Sequence, residues 1–267
     1  RAGRPPKWGC TGRSSLPVGY GEAEPPLGKE GMSQRADRRP VPLIPEGGPL
    51  WFPPEDGWRA SGLLAAGGDL SPERLVYAYG RGIFPWYDED TPILWWSPDP
   101  RCVLFPDELH VPRSLAKTLR RGAFSFSFDR AFEAVIRNCA AASRPGQRGT
   151  WLVPDMIDAY IDLHRLGLAH SVEAWADGGL VGGVYGVALG RVFFGESMFH
   201  FRPDASKAAL ATLVGRLRER GFVLLDCQQT TPHVVRLGAR EIPRREFLAL
   251  VRRYTIPASI NLRNSAR

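Results

Sequence analysis

Phe193-Phe194-Gly195-Glu196-Ser197-Met198 and Leu224-Leu225-Asp226-Cys227-Gln228 are the two stretches around which the rest of the chain is organised. Each is an apolar run that ends in polar residues, as in a buried strand that leaves the core. Residues i and i+2 of a strand share a face, so Asp226 and Gln228 should point to one side and Cys227 to the other. A carboxylate and an amide directed at one space can bind and orient an amine. The same pattern also fits a strand end whose polar groups are merely capped.

Length and composition limit the kind of protein this can be. A chain of 267 residues, 43% of them hydrophobic, is long enough to bury a large core. No apolar run reaches the ~18 residues of a membrane span, and residues 1–30 lack the apolar segment of a secretory signal. The four cysteines are far apart, without Cys-x-x-Cys spacing or a histidine cluster. We therefore expect reduced thiols, no metal and a cytoplasmic protein.

The positive charge of the chain is unevenly distributed. Of the net charge of +7, residues 1–40 carry +4, residues 41–100 carry −6 and residues 101–267 carry +9. An acidic segment followed by a basic one indicates that the C-terminal part meets a polyanion.

Residues 1–40 differ from the rest in composition. They are rich in Pro, Gly and Arg, and they contain too few aliphatic residues to bury a core of their own. The first methionine is Met32. We therefore expect residues 1–31 to be upstream sequence from a wrong start assignment, or the edge of a fragment, and to be dispensable. A disordered basic arm is the alternative.

Hydrophobic periodicity predicts an α+β chain. Ser71 and Pro72 are typical of a helix start. Helical patterns cover residues 112–121, 131–141, 154–166, 205–220 and 243–253, and strand patterns cover 124–128, 170–175, 180–188, 191–196 and 222–228. The short turns between the strands from 170 to 196 predict an antiparallel meander.

The order meander, helix, strand, helix is that of an acetyltransferase-like (GNAT) core with a mainly antiparallel sheet. We expect this catalytic domain at 106–258, after a small N-terminal domain at 41–105 and before a tail at 259–267. Fold alone does not determine function.

Two features suggest contact with nucleic acid. Arg113, Lys117, Arg120 and Arg121 share one face of the helix predicted at 112–121, and no acidic residue accompanies them there. Like charges at this spacing repel, and a phosphate backbone would neutralise them, although a solvated surface helix is the plainer interpretation. Trp86 lies in a loop-like stretch beside a proline, where a ring can stack on a base, although most large aromatic rings belong to the core.

From Gly62 to about Tyr254 the sequence resembles the leucyl/phenylalanyl-tRNA–protein transferase family. Any one matching stretch would be weak evidence, whereas together they are specific. Residues 1–40 have no counterpart in the resemblance. The stretches that carry it are Gly67-Gly68-Asp69-Leu70, Arg81-Gly82-Ile83-Phe84-Pro85-Trp86, Trp95-Trp96-Ser97-Pro98-Asp99-Pro100-Arg101, Gly149-Thr150-Trp151, Ala169-His170-Ser171, Phe194-Gly195-Glu196-Ser197-Met198-Phe199, Ala205-Ser206-Lys207, Asp226-Cys227-Gln228 and Leu237-Gly238-Ala239-Arg240-Glu241-Ile242-Pro243-Arg244.

The resemblance implies an activity and its partners. The enzyme would take Leu or Phe, and Met less well, from aminoacyl-tRNA and join it to proteins that begin with Arg or Lys, marking them for N-degron degradation. An aminoacyl-tRNA is already an activated ester, so no cofactor is expected. The partners would be Leu-tRNA, Phe-tRNA and the acceptor proteins, with no membrane, and we expect a monomer.

The resemblance also implies the residues of the site. Asp226, Gln228 and Glu196 would form the catalytic centre. Asp226 would hold the acceptor's amine or basic side chain, and Gln228 would accept or relay the amine proton or polarise the ester.

The resemblance implies binding residues as well. This sequence departs from the family's pattern at two places. Val184 stands where a methionine is expected in the family, and Gln229-Thr230-Thr231-Pro232 has no assigned role. The implied binding residues are Trp86 and Trp151 for the terminal adenosine of the tRNA, Val184, Phe193, Leu213 and Leu225 for the apolar side chain of the amino acid, and Arg113, Lys117, Arg120 and Arg121 for the tRNA backbone.

Three other functions fit part of the sequence. A coenzyme A-dependent acetyltransferase needs a pyrophosphate loop with Arg or Gln, two residues, Gly, one residue and then Gly or Ala. Arg218 and Gly221 fit the start of this pattern, but Val223 stands where Gly or Ala is needed. A thiol acyltransferase could use Cys227 with His233, but Cys227 should lie on the face away from the polar pair. A non-enzymatic tRNA- or RNA-binding protein would use the basic helix and the tryptophans, and it would leave the polar strand ends without a role.

Overall fold

The structure, a computed structural model of the chain, describes residues 40–59, 61–142 and 152–255. The hypothesis that residues 1–31 are dispensable falls outside the described residues. The same holds for the role predicted for Trp151 and for the tail predicted at 259–267.

The helices within the described residues begin and end close to the predicted positions. Ser71 caps the first one: its side chain accepts a hydrogen bond from the backbone N–H of Arg74, and Pro72 occupies the first helical position. The five longer helical patterns are all present, each end within one residue of the prediction. The helices are α1 (Pro72–Tyr79), α2 (Arg113–Arg120), α3 (Phe132–Ala141), α4 (Pro154–Arg165), α5 (Ala205–Glu219), α6 (Pro232–Arg236) and α7 (Arg244–Tyr254).

The strands form two sheets. A small sheet has the order β1-β2-β4-β3, and a seven-stranded sheet has the order β11-β5-β10-β9-β8-β7-β6. The strands are β1 (Leu43–Ile44), β2 (Leu63–Gly67), β3 (Phe84–Pro85), β4 (Leu94–Trp96), β5 (Arg101–Leu104), β6 (Ser125–Phe128), β7 (Ala169–Ala176), β8 (Gly179–Leu189), β9 (Val192–His200), β10 (Leu224–Gln228) and β11 (Arg240–Ile242).

The order of the larger sheet confirms the predicted fold class. Strands β7, β8 and β9 form the antiparallel meander. After α5 the chain returns in β10, which is parallel to β9, while the other neighbours in this sheet are antiparallel. β9 runs further than predicted, since Met198 and Phe199 still pair with β8. The chain is thus α+β, with a mixed, mainly antiparallel sheet in the acetyltransferase-like order.

The two faces of the seven-stranded sheet are covered by different elements. On one face, α1, α3, α4, α7 and the small sheet surround a core that includes Tyr79, Tyr160 and Phe194. On the other face, α5 and α2 pack on a core that includes Val184 and Phe193. We call these the aromatic face and the aliphatic face. Neighbouring residues such as Phe193 and Phe194 alternate between them, as the strand geometry requires.

The predicted domain division stays a prediction. A boundary at residue 105 would assign β5 to the N-terminal domain, yet β5 lies inside the larger sheet, between β10 and β11. The described residues all fall within one compact unit. None of the helices that the structure describes combines the length and the apolar character needed to cross a membrane.

Candidate active site

Polar side chains gather where β9 and β10 part. The two strands are paired only as far as Asp226 and Phe194. At this point the pairing of β9 with β8 skips Glu196, and the pairing of β10 with β5 skips Cys227. Such β-bulges redirect side chains and are frequent beside active sites. The two bulges leave Glu196 and Gln228 facing each other across the gap between the strands.

Asp226 is buried in an ion pair with Arg101. Nε and Nη2 of Arg101 donate to Oδ1 and Oδ2 of Asp226 at 2.8 and 2.6 Å, and both side chains are 0% exposed. The backbone N–H of Gln228 also donates to Oδ1, at 2.9 Å. The predicted contact of Asp226 with the acceptor's amine does not fit this geometry, because the carboxylate is out of contact with solvent and its charge is already shared with Arg101. Asp226 instead holds the end of β10 in place.

Glu196 is only partly buried and is the centre of a hydrogen-bond network on the aromatic face. The Tyr79 hydroxyl lies 2.8 Å from Oε1 and the Tyr160 hydroxyl lies 3.0 Å from Oε2, and the two hydroxyls are also within hydrogen-bond distance of each other. With one proton each, the two hydroxyls can donate in only two of these three contacts, and a proton on Glu196 would supply the third. Nε2 of Gln228 donates to Oε1 at 3.0 Å. Side chains from α1, α4 and β10 therefore converge on the carboxyl group of Glu196 on β9.

The surroundings of Glu196 raise its pKa from 4.5 to about 7. The largest cause is the loss of water around the carboxyl, and the charge of Asp226 acts in the same direction; the tyrosine hydrogen bonds and the charge of Arg101 oppose it. Burial, followed by the charge of Glu196, raises the pKa values of Tyr79 and Tyr160 well above 10, so both hydroxyls stay protonated. A carboxyl that titrates near 7 can exchange protons with an amine at neutral pH.

Gln228 adopts an uncommon backbone conformation that directs its amide. Its φ is +60°, in the left-handed region that non-glycine residues rarely occupy. The hydrogen bond from its N–H to Asp226 supports this turn. Since Nε2 donates to Glu196, the amide oxygen is left without a hydrogen bond from any described residue. A partly exposed acceptor atom thus lies beside the Glu196 carboxyl.

Cys227 lies on the opposite side of β10, as predicted. Its thiol is beside that of Cys102 on the aliphatic face, and the hydrogen bond with Cys102 and burial raise its pKa well above 9. Such a thiol is a poor nucleophile. His233 is exposed on α6. Within the described residues no group of three or more His, Cys, Asp or Glu side chains is arranged to hold a metal ion.

The four residues predicted to bind the donor's side chain form one apolar cluster. Val184 on β8, Phe193 on β9 and Leu225 on β10 come from three adjacent strands, and Leu213 packs over them from α5. All four are at most 4% exposed. The structure brings them together on the aliphatic face, and their role as a pocket stays a prediction.

Trp86 follows β3 and keeps its ring partly exposed. It packs against Trp96 with 5.7 Å between ring centroids, and Nε1 of Trp96 donates to the backbone oxygen of Trp86 at 2.8 Å. A ring held in this way is suited to stacking on a base. Its predicted companion, Trp151, lies outside the described residues.

The basic residues of α2 are exposed, as their spacing predicts. Arg113, Lys117, Arg120 and Arg121 form no ion pair with any residue that the structure describes. Leu115, on the opposite side of the helix, is buried in the core of the aliphatic face. The positive charge is therefore available to phosphates.

Comparison with known families matches this arrangement in two consecutive segments. Residues 68–99 match the leucyl/phenylalanyl-tRNA protein transferase N-terminal domain. Residues 103–252 match the leucyl/phenylalanyl-tRNA protein transferase family itself and include all of β9 and β10. The chain belongs to the leucyl/phenylalanyl-tRNA–protein transferase family. The resemblance found in the sequence is confirmed.

Curated relatives in this transferase family are similar over most of their length. The leucyl/phenylalanyl-tRNA–protein transferase of Anaeromyxobacter sp. (strain Fw109-5) is 64% identical over 198 residues, which is 74% of this chain and 84% of the relative. The one from Myxococcus xanthus (strain DK1622) is 55% identical over 214 residues, or 80% of this chain and 92% of the relative. The protein is therefore an enzyme, an aminoacyltransferase of this family.

Two solved structures that resemble this transferase are distant likenesses. A GCN5-related N-acetyltransferase from Kribbella flavida is 14% identical, with a TM-score of 0.34 and coverage of 64% of this chain and 60% of the other. L-PGS from Bacillus licheniformis is 12% identical, with a TM-score of 0.38 and coverage of 63% and 54%. At these TM-scores neither likeness informs the function, and the fold class rests on the sheet order.

Three residues of the transferase site have no role in the sequence analysis. Tyr79 and Tyr160 lie on the apolar faces of two helical patterns. These patterns predict the burial of their rings correctly, but they do not predict the contacts of their hydroxyls with Glu196. Arg101 follows a Pro-Asp-Pro stretch and opens a strand whose four residues are all buried. A single arginine at the start of a buried apolar strand is a signal for a buried ion pair.

Proposed function

We propose that this enzyme transfers Leu or Phe, and Met less efficiently, from aminoacyl-tRNA to the α-amine of proteins that begin with Arg or Lys. It would act in the cytoplasm as a monomer and mark its acceptors for N-degron degradation. Family membership supports the aminoacyl transfer. The single observation that carries the chemistry is the partly exposed pair of Glu196 and Gln228 where β9 and β10 part.

The reaction needs little beyond positioning and one proton transfer. The amine nitrogen attacks the ester carbonyl carbon, a C–N bond forms, the bond from that carbon to the tRNA ribose oxygen breaks, and the amine proton ends on the ribose hydroxyl. An α-amine has a pKa of ~7.7–8.0, so a useful fraction is neutral near pH 7.5. Most of the rate enhancement then comes from holding the two reactants in line.

The site residues have distinct parts in this proposal. The amide oxygen of Gln228, to which no described residue donates, accepts an N–H of the acceptor amine and orients it. The Glu196 carboxylate takes up the proton that the nitrogen loses, since its pKa of about 7 lies close to that of the amine, and gives it up again to the departing ribose oxygen. Tyr79 and Tyr160 hold the carboxyl in place through its two oxygens. Asp226 acts through Gln228 and Arg101 and does not touch the amine.

The donor side chain would enter from the other side of the sheet. The cluster of Val184, Phe193, Leu213 and Leu225 is apolar and accepts Leu, Phe or Met without a specific polar contact. An added methylene in such a site changes discrimination by only ~1–3 kcal/mol, so all three remain substrates. An Asp or Lys side chain would be rejected, because its charge would be buried without a partner.

The tRNA would be held outside the reacting centre. Trp86 supports base stacking on the terminal adenosine, together with Trp151. The face of Arg113, Lys117, Arg120 and Arg121 supports contact with the phosphate backbone, because no described residue neutralises it.

Transfer of labelled Phe from Phe-tRNA to an Arg-starting peptide tests this function. We expect transfer by the wild-type enzyme, none to the same peptide with an acetylated N-terminus, and a strong loss in Glu196→Gln and Gln228→Ala. Transfer of an acetyl group from acetyl-coenzyme A to the same peptide would favour the acetyltransferase alternative. Tight binding of Phe-tRNA without any transfer would favour the RNA-binding alternative.

A further inference from the structure

Arg101 is fully buried, and its neighbours come from separate parts of the chain. Its guanidinium carbon lies 4.8 Å from the ring centroid of Phe84 on β3 and 4.4 Å from that of Phe247 on α7. Two of its nitrogens donate to Asp226 on β10, and the third, Nη1, is buried without a hydrogen-bond acceptor among the described residues. Burying an arginine is costly unless it is paired, and the two rings offset part of this cost through cation–π attraction.

A continuous series of contacts leads from this arginine to the reacting groups. Arg101 holds both oxygens of Asp226, and Oδ1 of Asp226 accepts the backbone N–H of Gln228. That hydrogen bond supports the left-handed turn at Gln228, where φ is +60°. The turn brings Nε2 of Gln228 to 3.0 Å from Glu196. Each link is directional, so displacement of the guanidinium displaces the amide.

We infer that Arg101 is a positioning residue of the transfer reaction, which acts through Asp226 to aim the Gln228 amide at Glu196 and at the acceptor amine. This inference rests on the roles proposed above for Gln228 and Glu196. A buried ion pair is not needed for stability as such, because apolar residues of similar volume are often at least as stabilising. Backbone pairing already joins β5 to β10 at Asp226 and Gln228, and the ion pair adds a directional contact to the Asp226 side chain itself.

Arg101 also sets the electrostatic balance beside Glu196. The charge of Asp226 raises the pKa of Glu196 and the charge of Arg101 lowers it. Loss of the positive charge would leave the Asp226 charge unopposed and raise that pKa further. The proton acceptor would then reach its charged form only at a higher pH.

The decisive variant is Arg101→Lys, which keeps the charge and loses the two-pronged contact with Asp226. Arg74→Lys is the matched control, because Arg74 is also buried, at 1% exposure, and pairs with Asp69 at 3.1 Å in another part of the fold. We expect single-turnover Phe transfer at saturating Phe-tRNA to fall by ~100-fold in Arg101→Lys, the typical effect of a misplacement of about 1 Å. Arg74→Lys should stay near the wild-type rate, and the Kd for Phe-tRNA should be unchanged in both.

A pH profile separates positioning from charge. Arg101→Lys should keep the wild-type midpoint of the rate, whereas Arg101→Met, where it folds, should move the midpoint to higher pH. In the double variant Arg101→Lys with Asp226→Asn, the rate should be no lower than in Asp226→Asn alone, because residues that act as a unit are not additive.

Several outcomes would overturn the inference. A wild-type rate in Arg101→Lys, an equal loss in Arg101→Lys and Arg74→Lys, or additive losses in the double variant would each show that Arg101 serves stability alone. Failure of the wild-type enzyme to transfer Phe would instead overturn the proposed function, so the two failures are distinguishable.

Discussion

On the aromatic face of the seven-stranded sheet, Arg101, Asp226, Gln228 and Glu196 are joined by directional bonds of 2.6 to 3.0 Å. On the aliphatic face of the same strands, the cluster around Val184 is held together by shape and apolar contact. The same strands thus supply two kinds of recognition. Hydrogen-bond geometry is lost with small displacements, whereas an apolar surface tolerates them. Changes on the first face should therefore alter the rate, and changes on the second should alter which amino acid is used.

The largest effect is expected from Asp226→Asn, which removes one charge of the buried ion pair at the centre of the hydrogen bonds on the aromatic face. Transfer should fall roughly 1,000-fold, because a misplaced reactant already costs ~100-fold and proton transfer is impaired as well. The protein should also lose about 3–5 kcal/mol of stability, since Arg101 would keep an uncompensated buried charge. Single-turnover transfer and thermal unfolding measure the two effects.

Asp69→Asn is the matched control for this variant, because it breaks the ion pair of Asp69 with the buried Arg74. It should reduce stability and leave the transfer rate unchanged below its unfolding temperature. A near-normal rate in Asp226→Asn would mean that Asp226 is only a strand-end residue.

Among changes on the aromatic face, Glu196→Gln should have the next largest effect. Its transfer rate should fall about 100-fold at neutral pH, which is near the lower end of the contribution of general base catalysis. The wild-type rate should rise with pH through about 7, as Glu196 loses its proton. The variant should lack this rise and keep only the rise that belongs to the acceptor amine, at ~7.7–8.0. Identical pH profiles for the two proteins would exclude Glu196 as the proton acceptor.

The raised pKa of Glu196 also predicts how stability depends on pH. The pKa is about 7 in the folded state and 4.5 without the shift, so the folded state binds this proton more tightly. Wild-type stability should therefore fall as pH rises from 4.5 to about 7. The stability of Glu196→Gln should lack this fall, so the variant should become more stable relative to the wild type between pH ~4 and pH ~8. Urea unfolding at the two pH values measures the difference.

Val184→Met tests the aliphatic face and should change preference more than rate. The longer side chain reduces the space for the donor, so the use of Phe relative to Leu should fall by about tenfold, within the ~1–3 kcal/mol typical of apolar pockets. Competition between Leu-tRNA and Phe-tRNA measures the ratio. Val181→Met is the control within the same cluster. An unchanged ratio in Val184→Met would place the donor side chain elsewhere.

The smallest effect on chemistry is expected from Arg120→Ala with Arg121→Ala at the C-terminal end of α2, outside both faces. The KM for aminoacyl-tRNA should rise and the salt dependence should flatten by about one log–log unit per lost contact, with the peptide KM unchanged. Arg137→Ala with Arg165→Ala makes the same charge change at exposed arginines that have ion-pair partners, Glu133 and Asp162. An equal change of salt slope in both double variants would show a general charge effect.

The elements that could be predicted are those whose signals are local. Ser71 and Pro72 mark the start of α1, and the apolar periodicity of α4 and α5 sets their extent within one residue. The meander followed from its short turns. The end of β9 could not be predicted, because it depends on the partner strand β8, and the pairing of Met198 and Phe199 is not visible in their own sequence.

The site divides in the same way. Strand alternation by itself placed Cys227 on the side of β10 away from Asp226, and helical spacing placed the basic residues of α2 together, because both periods are properties of the backbone. The direction of the Gln228 amide depends on the bulge and on the left-handed turn, which alternation does not predict. Family resemblance added the activity and the identity of the polar centre. Only the tertiary structure paired Asp226 with Arg101, 125 residues earlier, and brought Tyr79 and Tyr160 to Glu196. Which strand lies beside which is decided by how the whole core packs, and no local pattern carries that information.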